Sequence, residues 1–543
     1  MAVTDFAYHA FGEPKADESS PPARSVRERM VPPMPSNPLW GWLGPLLVAA
    51  FGGALRFIGL AHPKAVVFDE TYYAKDAYSL ISWLVERVTI KDADKAILAG
   101  NLDIWQKCSA DQLDKCASYV VHPPLGKWMI GAGEWMFGMT PFGWRFAAAV
   151  VGTLSILVLA RVARRMTRST MLGCFAGLLL ALDGLHFVLS RAALLDIFLM
   201  FWVLAGFACL VADRDWARRR LVEWYENGPL SPEGPSLGLR PWRIAAGACL
   251  AAACAVKWSG IFFLAAFAVM AVLWDFGARR AVGLRRPYAG AFTKDVPPAV
   301  AAFGVVPFVT YMATWTGWFV TAGGYGRNWD QATSAGPFYF VFDSMRSWVK
   351  YQWQVFTFHS GLETSHPYMS EPWQWPLLLR PVAFYYEGRQ NVCGTRDCSE
   401  AVLGVGTPVI WFGALLALVA LIAWYVASRD WRAGAVLLAY AMGWLPWFYF
   451  AIAQNRTMFL FYAIPMVPFM VLAITLCAGW LIGPATRTAT GALPMRRTIG
   501  AAVVGAFALL ALINFWWLHP ILSGELIPYT EWKARMLFDK RWI

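Results

Sequence analysis

Two adjacent carboxylates, Asp69 and Glu70, lie in the segment AVVFDETYYAKDAYSLISWL at residues 65–84. Adjacent residues do not share a face of a helix, so both side chains cannot reach one atom from a regular helix. A partly buried carboxylate beside a hydroxyl substrate can act as a general base, with a pKa set by burial and neighbouring charges. The structural alternative makes Asp69 the N-cap of a helix that begins near Thr71.

Cationic side chains form a second group of candidates. Arg145 lies one turn into an apolar span, where an unpaired guanidinium costs on the order of a few kcal/mol. It is expected either to pair with an acid such as Asp69 or Asp196, or to hold a phosphate by bidentate contacts. The other basic candidates are His122, Lys127, Arg191, Lys257 and Arg456.

An internal salt bridge is an equally good role for Asp196, with Arg191 or Arg145 as its partner. The nearby acids and His186 leave a divalent metal open, but no tight ligand spacing such as HExxH is present, so no metal ligand is assigned.

A base and several phosphate-holding cations indicate transfer from a phosphate-linked lipid to an acceptor that arrives from water. Water-soluble nucleotide sugars fit poorly, because no Rossmann-type glycine motif follows a strand.

The elements that must position these residues are membrane helices. Of the 543 residues, 58% are hydrophobic and only 15% are charged, and apolar runs recur along most of the chain, which indicates a polytopic, all-α membrane protein. The 30 Trp and 36 Phe suit helix ends at two membrane interfaces or packing between helices. Eleven spans are predicted, at about 39–60, 142–163, 171–189, 192–212, 243–257, 259–276, 296–316, 408–427, 433–452, 458–480 and 499–518.

The positions of basic residues predict the orientation. The net charge of +12 reflects clusters such as RVARRMTR and RDWARRR in alternate short loops, which favours a cytoplasmic N-terminus over nucleic-acid binding. Residues 1–38 are predicted to be a disordered cytoplasmic tail and not a signal peptide. The chain is accordingly placed in the plasma membrane, with its C-terminus and active site extracytoplasmic.

Two long segments then lie outside the membrane, at 61–141 and 317–407. The first contains VVHPPLGKWMIGAGEWMFG, which is predicted to form a helix along the membrane surface. Long ordered loops on a rigid scaffold commonly carry function. The predicted organisation is therefore a catalytic module at 39–316, the large loop at 317–407, C-terminal spans within 408–518 and an outer tail at 519–543.

Nine cysteines divide by location. Five lie in apolar spans, where they are expected to pack. Cys108 and Cys116 share the first outer loop, and Cys393 and Cys398 share the second, so two local disulfides are predicted on an oxidising face. A zinc site is the alternative, but the two pairs lie in different loops and lack CxxC spacing.

The order of the motifs resembles that of the protein O-mannosyltransferases. The motifs are FDE after the first span, VHPPLGKW, the arginine of PFGWRFAAAV, LDGLHFVLSRAALLDIFL and CAVKWSG. Two later stretches, HPYMSEPWQWPLLLRP and QNRTMFLFYAIP, look like the bacterial branch of that family. The resemblance extends from about residue 40 to about residue 480.

This resemblance implies a GT-C glycosyltransferase fold and an inverting enzyme that moves mannose from a polyprenyl phosphate to Ser or Thr of secreted proteins. It implies that Asp69 is the catalytic base, with Glu70 helping to place a substrate, and that Arg145 is the family's essential arginine. The remaining residues in matching stretches, expected around the donor, are His122, Lys127, Arg191, Asp196, Lys257, His366 and Arg456.

The family resemblance also bears on partners. The 317–407 loop is too short for the β-trefoil domain of fungal and animal members, which indicates an actinobacterial type of enzyme with a polyprenyl donor. Translocating proteins and the Sec translocon are the expected partners; no cofactor is assigned, and a divalent cation is not excluded. Alternatives are a related transferase acting on a lipid or cell-wall glycan, and a transporter, although no internal repeat is found.

Overall fold

The computed structural model describes residues 25–35, 37–109, 115–228, 231–329, 339–483, 494–538 and 541–542. The helices of the first half are α1 (Val26–Met30), α2 (Pro38–Phe57), α3 (Glu70–Trp83), α4 (Ala93–Leu98), α5 (Leu125–Phe137), α6 (Pro141–Thr167), α7 (Thr170–Ala181), α8 (Gly184–Leu189), α9 (Leu195–Asn227), α10 (Pro241–Val256) and α11 (Gly260–Val282).

The later helices are α12 (Pro287–Lys294), α13 (Val296–Val300), α14 (Val306–Thr314), α15 (Thr316–Val320), α16 (Tyr339–Ser360), α17 (Pro408–Ser428), α18 (Trp431–Trp444), α19 (Pro446–Gln454), α20 (Val467–Ile482), α21 (Met495–Ser523) and α22 (Tyr529–Ala534). A π-helical turn at Ala301–Val305 joins α13 to α14, and two 3-10 segments lie at Pro372–Leu377 and Leu460–Met466.

Within the described ranges, nine helical stretches are long and apolar enough to cross a membrane. Two further apolar helices, Thr170–Ala181 and Pro241–Val256, are shorter. Each of the eleven predicted spans overlaps one of these stretches, so the positions agree, while the number of full crossings stays a prediction. The predicted span at 171–189 is broken at Asp183, whose side chain accepts a hydrogen bond from the amide of His186 and begins α8.

The fold is mostly helical, as predicted, but it also contains a three-stranded antiparallel sheet that the sequence analysis does not predict. The strands are β1 (Val382–Gln390), β2 (Asp397–Gly404) and β3 (Leu526–Pro528), in the order β1-β2-β3. The sheet joins the second loop to the segment after α21. Its central strand is buried from Cys398 onward, because it lies against α8 and α21.

The prediction of a disordered tail at 1–38 is wrong for its last part, and residues 1–24 lie outside the described residues. Ser25 caps α1 through a reciprocal capping box with Glu28. Met30 is buried against Leu221 and Val222 of α9. An apolar contact of this kind orders a short helix that would not be stable alone.

Helix α5 packs between α3 and α6, and this arrangement fixes the start of α3 in space. A Cβ added at Gly131 would lie 2.9 Å from the carbonyl oxygen of Ala77, so the glycine permits the close approach of α5 to α3. Helix α6 then runs through the membrane part. Its 27 residues span about 40 Å, so Pro141 and Thr167 lie at opposite sides. We call the side of the membrane part at Pro141 the Asp69 side, and the side at Thr167 the opposite side.

Candidate active site

Asp69 lies directly before α3, with its backbone in the helical region and no side-chain hydrogen bond to the helix N-terminus. Its carbonyl oxygen accepts hydrogen bonds from the amides of Tyr72 and Tyr73. The N-cap alternative is therefore not realised by the side chain. No hydrogen bond to the Asp69 carboxylate is found among the described residues, which leaves it open to a ligand.

Burial raises the pKa of the Asp69 carboxyl to about 6, with the Lys257 ammonium lowering it and the Asp196 carboxylate raising it. A carboxylate with a pKa near neutrality accepts a proton better than an ordinary surface aspartate while staying mostly ionised at pH 7. Asp69 therefore has the electrostatic setting of a general base.

Glu70 differs from Asp69 because both of its carboxylate oxygens accept hydrogen bonds from other residues of the protein. One oxygen accepts from Arg145 Nε at 2.8 Å and from the Ala193 amide at 3.0 Å. The other accepts from Arg145 Nη2 at 2.9 Å and from the Val67 amide at 2.9 Å. The side chain is 0% exposed. In this structure Glu70 fixes the loop that carries Asp69, and its expected part in placing a substrate stays a prediction.

Arg145 uses all of its N–H groups within the protein. Besides Glu70, its Nη1 donates to the carbonyl oxygens of Leu60 and Pro63, and its Nη2 donates to that of Ala65. A guanidinium has five N–H donors, so none remains for a phosphate. Of the two roles expected for Arg145, the structure shows the ion pair, with Glu70 as the acid, and the role of holding the donor phosphate stays a prediction. The arginine also ties the segment before Asp69 to α6.

Replacing Arg145 by alanine is expected to lower the free energy of unfolding by about 3–5 kcal/mol, because it leaves the buried Glu70 carboxylate unpaired. Replacement by lysine is expected to destabilise nearly as much, since one ammonium cannot satisfy two carboxylate oxygens and three carbonyls. Thermal unfolding of the purified protein measures both effects. A lysine variant with wild-type stability and reduced activity would instead indicate that Arg145 contacts the donor phosphate.

Two further basic candidates also have structural partners. Lys127 lies on α5, is 1% exposed and forms ion pairs with Glu86 and, at 3.8 Å, with Asp76. Arg191 donates to the carbonyl oxygens of Leu55, Arg56, Ile58 and Gly59, the unpaired end of α2. Neither side chain lines the cavity described next, and their expected place around the donor stays a prediction.

A cavity of about 240 Å³ opens beside Asp196 and Lys257, among mainly aromatic and aliphatic side chains. Lys257 Nζ donates to Asp196 Oδ2 at 2.7 Å. This pair is the salt bridge expected for Asp196, although with a different partner from the two arginines considered. Asp69 does not line the cavity, but the charges of both Asp196 and Lys257 affect its pKa. The polar residues of the lining are His122, Asp196, Lys257, Ser259, His359, Ser360, Arg456 and Tyr462.

Arg456 is the cavity cation without an acidic partner: among the described residues no carboxylate oxygen lies within 4 Å of it. Its Nη1 donates to the carbonyl oxygen of His359 at 3.0 Å and its Nη2 lies 3.2 Å from His359 Nδ1. Its Nε is buried without a hydrogen-bond partner. A partly buried guanidinium with no counterion is suited to an anionic ligand.

Two histidines stay neutral beside these cations. Burial lowers the pKa of His122 well below its ordinary value, and the charge of Lys257 lowers it further. Burial and the charge of Arg456 lower the pKa of His359 to about 4. His359 Nε2 lies 2.8 Å from the carbonyl oxygen of Val121, so this nitrogen donates and Nδ1 accepts from Arg456. His359 thereby orients the arginine.

His366 does not line the cavity and lies in an aromatic cluster that includes Phe68, the residue before Asp69. Its ring is 6.2 Å from that of Phe68 and 5.2 Å from that of Phe459, and its Nδ1 accepts from the Tyr368 amide. Phe68 also packs against Phe384 of β1. His366 therefore shapes the surroundings of the loop before Asp69 and has no contact with the cavity cations.

Both predicted disulfides are present: Cys108 is bonded to Cys116, and Cys393 to Cys398. The zinc alternative has no support in the part of the chain that the structure describes, which contains no cluster of metal-binding side chains. The second disulfide closes the turn between β1 and β2.

His359 and Tyr462 line the cavity but are not among the site residues predicted from the sequence. His359 is the polar end of an otherwise aromatic amphipathic helix, FHSG at the end of α16, and this contrast is the available signal. The Lys257 ammonium lies 5.2 Å from the centre of the Tyr462 ring. Nothing in the sequence around Tyr462, an aromatic residue among many, distinguishes it.

The chain has the GT-C fold of membrane-embedded glycosyltransferases. It superposes on one chain of the S. cerevisiae protein O-mannosyltransferase Pmt1-Pmt2 complex, a structure with bound sugar donor, with a TM-score of 0.67 and 15% identity, covering 98% of this chain and 97% of that chain. Two family models match: dolichyl-phosphate-mannose-protein mannosyltransferase at residues 103–316, and the C-terminal four TMM region of protein-O-mannosyltransferase at 344–542.

The chain belongs to the protein O-mannosyltransferase family. It is 38% identical over 525 residues to a polyprenol-phosphate-mannose–protein mannosyltransferase of Mycolicibacterium smegmatis, covering 93% of this chain and 95% of that protein. A protein of the same name from Mycobacterium tuberculosis is 37% identical over 517 residues, covering 92% of each. The family resemblance seen in the motifs is thus confirmed, as is the expectation of an enzyme.

Proposed function

We propose that this enzyme transfers mannose from a polyprenyl phosphate mannose to Ser or Thr hydroxyls of proteins, with Asp69 as the general base. The observation that carries the assignment of roles is the contrast between neighbours: Asp69 is open and has a raised pKa, whereas Glu70 is saturated. The relatives named above carry this donor and this type of acceptor in their names.

In the proposed reaction, the acceptor oxygen attacks the anomeric carbon of mannose from the face opposite the phosphate. The new carbon–oxygen bond forms as the bond to the phosphate oxygen breaks, and the configuration inverts. The hydroxyl proton passes to Asp69. The protein contributes much of the rate by holding the two reactants in line.

Negative charge grows on the departing phosphate, and Arg456 and Lys257 are placed to stabilise it. Arg456 offers the buried Nε that lacks a protein partner, and Lys257 lines the same cavity. Fixed charges in a site that excludes water stabilise a developing anion strongly. Two cations can take the part that a divalent ion has in other phosphate chemistry, so we propose transfer without a metal. Full activity after treatment with EDTA is the expected result.

We place the Asp69 side outside the cell, in contact with translocating acceptor proteins, and the N-terminus in the cytoplasm. The excess of basic residues in the opposite-side loops supports this orientation. The Sec translocon is the proposed neighbour that delivers acceptors. Labelling of a cysteine introduced at Lys64, which is exposed on the Asp69 side, with a membrane-impermeant reagent in intact cells tests the orientation, and protection of that cysteine would reverse it.

The transfer itself is tested with purified protein, labelled polyprenyl phosphate mannose and a Ser/Thr-rich peptide. Label in the peptide, and none in a matched peptide with every Ser and Thr replaced by Ala, is the expected outcome. Label that appears only in solvent-extractable lipid would reassign the acceptor to a lipid. Absence of transfer by folded protein would move the assignment to another sugar or acceptor.

The rate should depend on pH through Asp69. The base must be ionised, so kcat/KM is expected to rise with pH up to about 6, the pKa of Asp69, and then level off. Below that point it should fall about tenfold per pH unit. Since the Lys257 charge lowers this pKa, Lys257→Gln should shift the profile to higher pH. A flat wild-type profile from about pH 5 to about pH 7 would contradict the assignment.

A further inference from the structure

Three arginines surround one carboxylate on the opposite side, far from Asp69. Arg168 Nη2 lies 3.1 Å from Asp215 Oδ2, and Arg165 Nη1 lies 3.5 Å from the same atom. Arg214 Nη1 lies 3.8 Å from Asp215 Oδ1. We call these four residues the Asp215 cluster. It joins the end of α6 to the last part of α9.

The charges of the Asp215 cluster do not balance. Three guanidiniums and one carboxylate leave a net charge of +2, and within the described ranges no other carboxylate oxygen lies within 4 Å of these arginines. Their side chains are only 34%, 22% and 7% exposed, for Arg165, Arg168 and Arg214 in turn. Partly buried positive charge in excess of its counterions is costly, so the cluster has room for a further anion.

A neighbouring ion-pair network on the same side has balanced charges, in contrast to the Asp215 cluster. Asp213 and Asp275 form ion pairs with both Arg240 and Arg243. Two acids and two bases balance there, and all four side chains are buried. Asp430 is likewise taken by Arg432, at 2.7 Å. The Asp215 cluster differs from this balanced network because it contains more arginines than carboxylates.

Tryptophans place the cluster at the level of the lipid headgroups. The guanidinium of Arg214 lies 3.7 Å from the ring centre of Trp431, the first residue of α18. Near the start of α2, Trp42 has a similar contact with Arg161, also at 3.7 Å. Tryptophan is enriched at membrane interfaces, and both residues lie where transmembrane helices begin.

We propose that the Asp215 cluster binds the phosphate of an anionic phospholipid in the leaflet on the opposite side. Arginine forks match phosphate oxygens, and basic pockets between transmembrane helices bind anionic headgroups. The indole groups favour a lipid over a soluble phosphate, because a lipid also supplies a glycerol and acyl region beside the rings. The bound lipid would fasten α6 to α9. This site is independent of the transfer reaction.

The proposal is tested with the full-length protein in phosphatidylcholine nanodiscs titrated with phosphatidylglycerol, with lipid retention read by native mass spectrometry. Arg165→Gln is expected to weaken retention about fivefold, because each such arginine contributes about 1 kcal/mol. The matched control is Arg220→Gln on α9, whose side chain is 60% exposed and paired with Glu223. The control should retain phosphatidylglycerol as the wild type does.

Equal loss in both variants would overturn the site in favour of general surface charge. If inorganic phosphate stabilises the protein against heat and phosphatidylglycerol does not, the anion bound by the cluster is a soluble phosphate and the lipid proposal is wrong. If Arg165→Gln does not fold, Arg165→Lys keeps the charge and is expected to retain the lipid more strongly than Arg168→Gln does. The same retention in these two variants would also contradict the proposal.

Discussion

The Asp69→Asn variant is expected to lose about 100- to 10,000-fold in kcat, the contribution of a general base, while still binding donor. Asparagine has almost the shape of aspartate but cannot take the hydroxyl proton. The neutral side chain removes no hydrogen bond that the described structure contains, so the fold should persist. Initial rates of mannose transfer and donor binding, measured on the same preparation, separate the lost proton transfer from misfolding.

A matched control for this variant is Asp94→Asn. Asp94 lies in the same 61–141 segment, pairs with Lys75 of α3 at 2.8 Å, accepts a hydrogen bond from the Thr71 hydroxyl, and does not line the cavity. It should keep near wild-type turnover. Wild-type turnover in Asp69→Asn would remove Asp69 as the base, and an equal loss in both variants would point to disruption of the outer segment.

The two acids of the FDE motif show which features of the site can be predicted from the sequence and which cannot. The sequence places both carboxylates at the membrane surface before a helix, and it correctly excludes a shared target for them. The division of roles depends on contacts that no local pattern contains: Glu70 meets Arg145 and the amide of Ala193, 75 and 123 residues away. The open carboxylate is therefore recognised only after its neighbour is seen to be saturated.

The basic residues show the same limit. An arginine or lysine near a membrane surface is equally compatible with a phosphate, an acid or a helix end. Lys127 meets acids, Arg191 meets carbonyls, and Arg456 meets no carboxylate within 4 Å among the described residues. Hydrophobic runs predict where helices lie, because burial in lipid depends on composition, whereas the partner of a cation depends on how distant helices pack.

The short sheet escapes prediction for a related physical reason. β3 has only three residues, and it pairs with β2 across more than a hundred residues of chain. Such a strand has no alternating pattern of its own. The local disulfide of the β1–β2 turn, by contrast, is visible in the spacing of Cys393 and Cys398.

Arg456→Met is expected to lower kcat by about 100- to 1,000-fold, the usual effect of removing one group that stabilises developing charge. Methionine keeps much of the side-chain volume among the aromatic neighbours. Arg456→Lys should recover part of the rate, since a point charge remains but the fork that His359 orients is lost. Rates at saturating donor, with donor affinity measured separately, check the effect. Arg389→Met, which removes an arginine on β1 paired with Glu387 and Glu400, is the control outside the cavity.

The two arginine variants also distinguish Arg456 from a purely structural residue. If Arg456 only holds α16 through His359, then His359→Phe should cost as much activity as Arg456→Met, and both should lose thermal stability. If Arg456 holds the departing phosphate, His359→Phe should cost less, because the guanidinium stays in the cavity in a looser orientation. Arg456→Met should then lose rate with little change in unfolding temperature. The position of Arg456 in the cavity lining and the absence of a carboxylate within 4 Å of it among the described residues favour the second result.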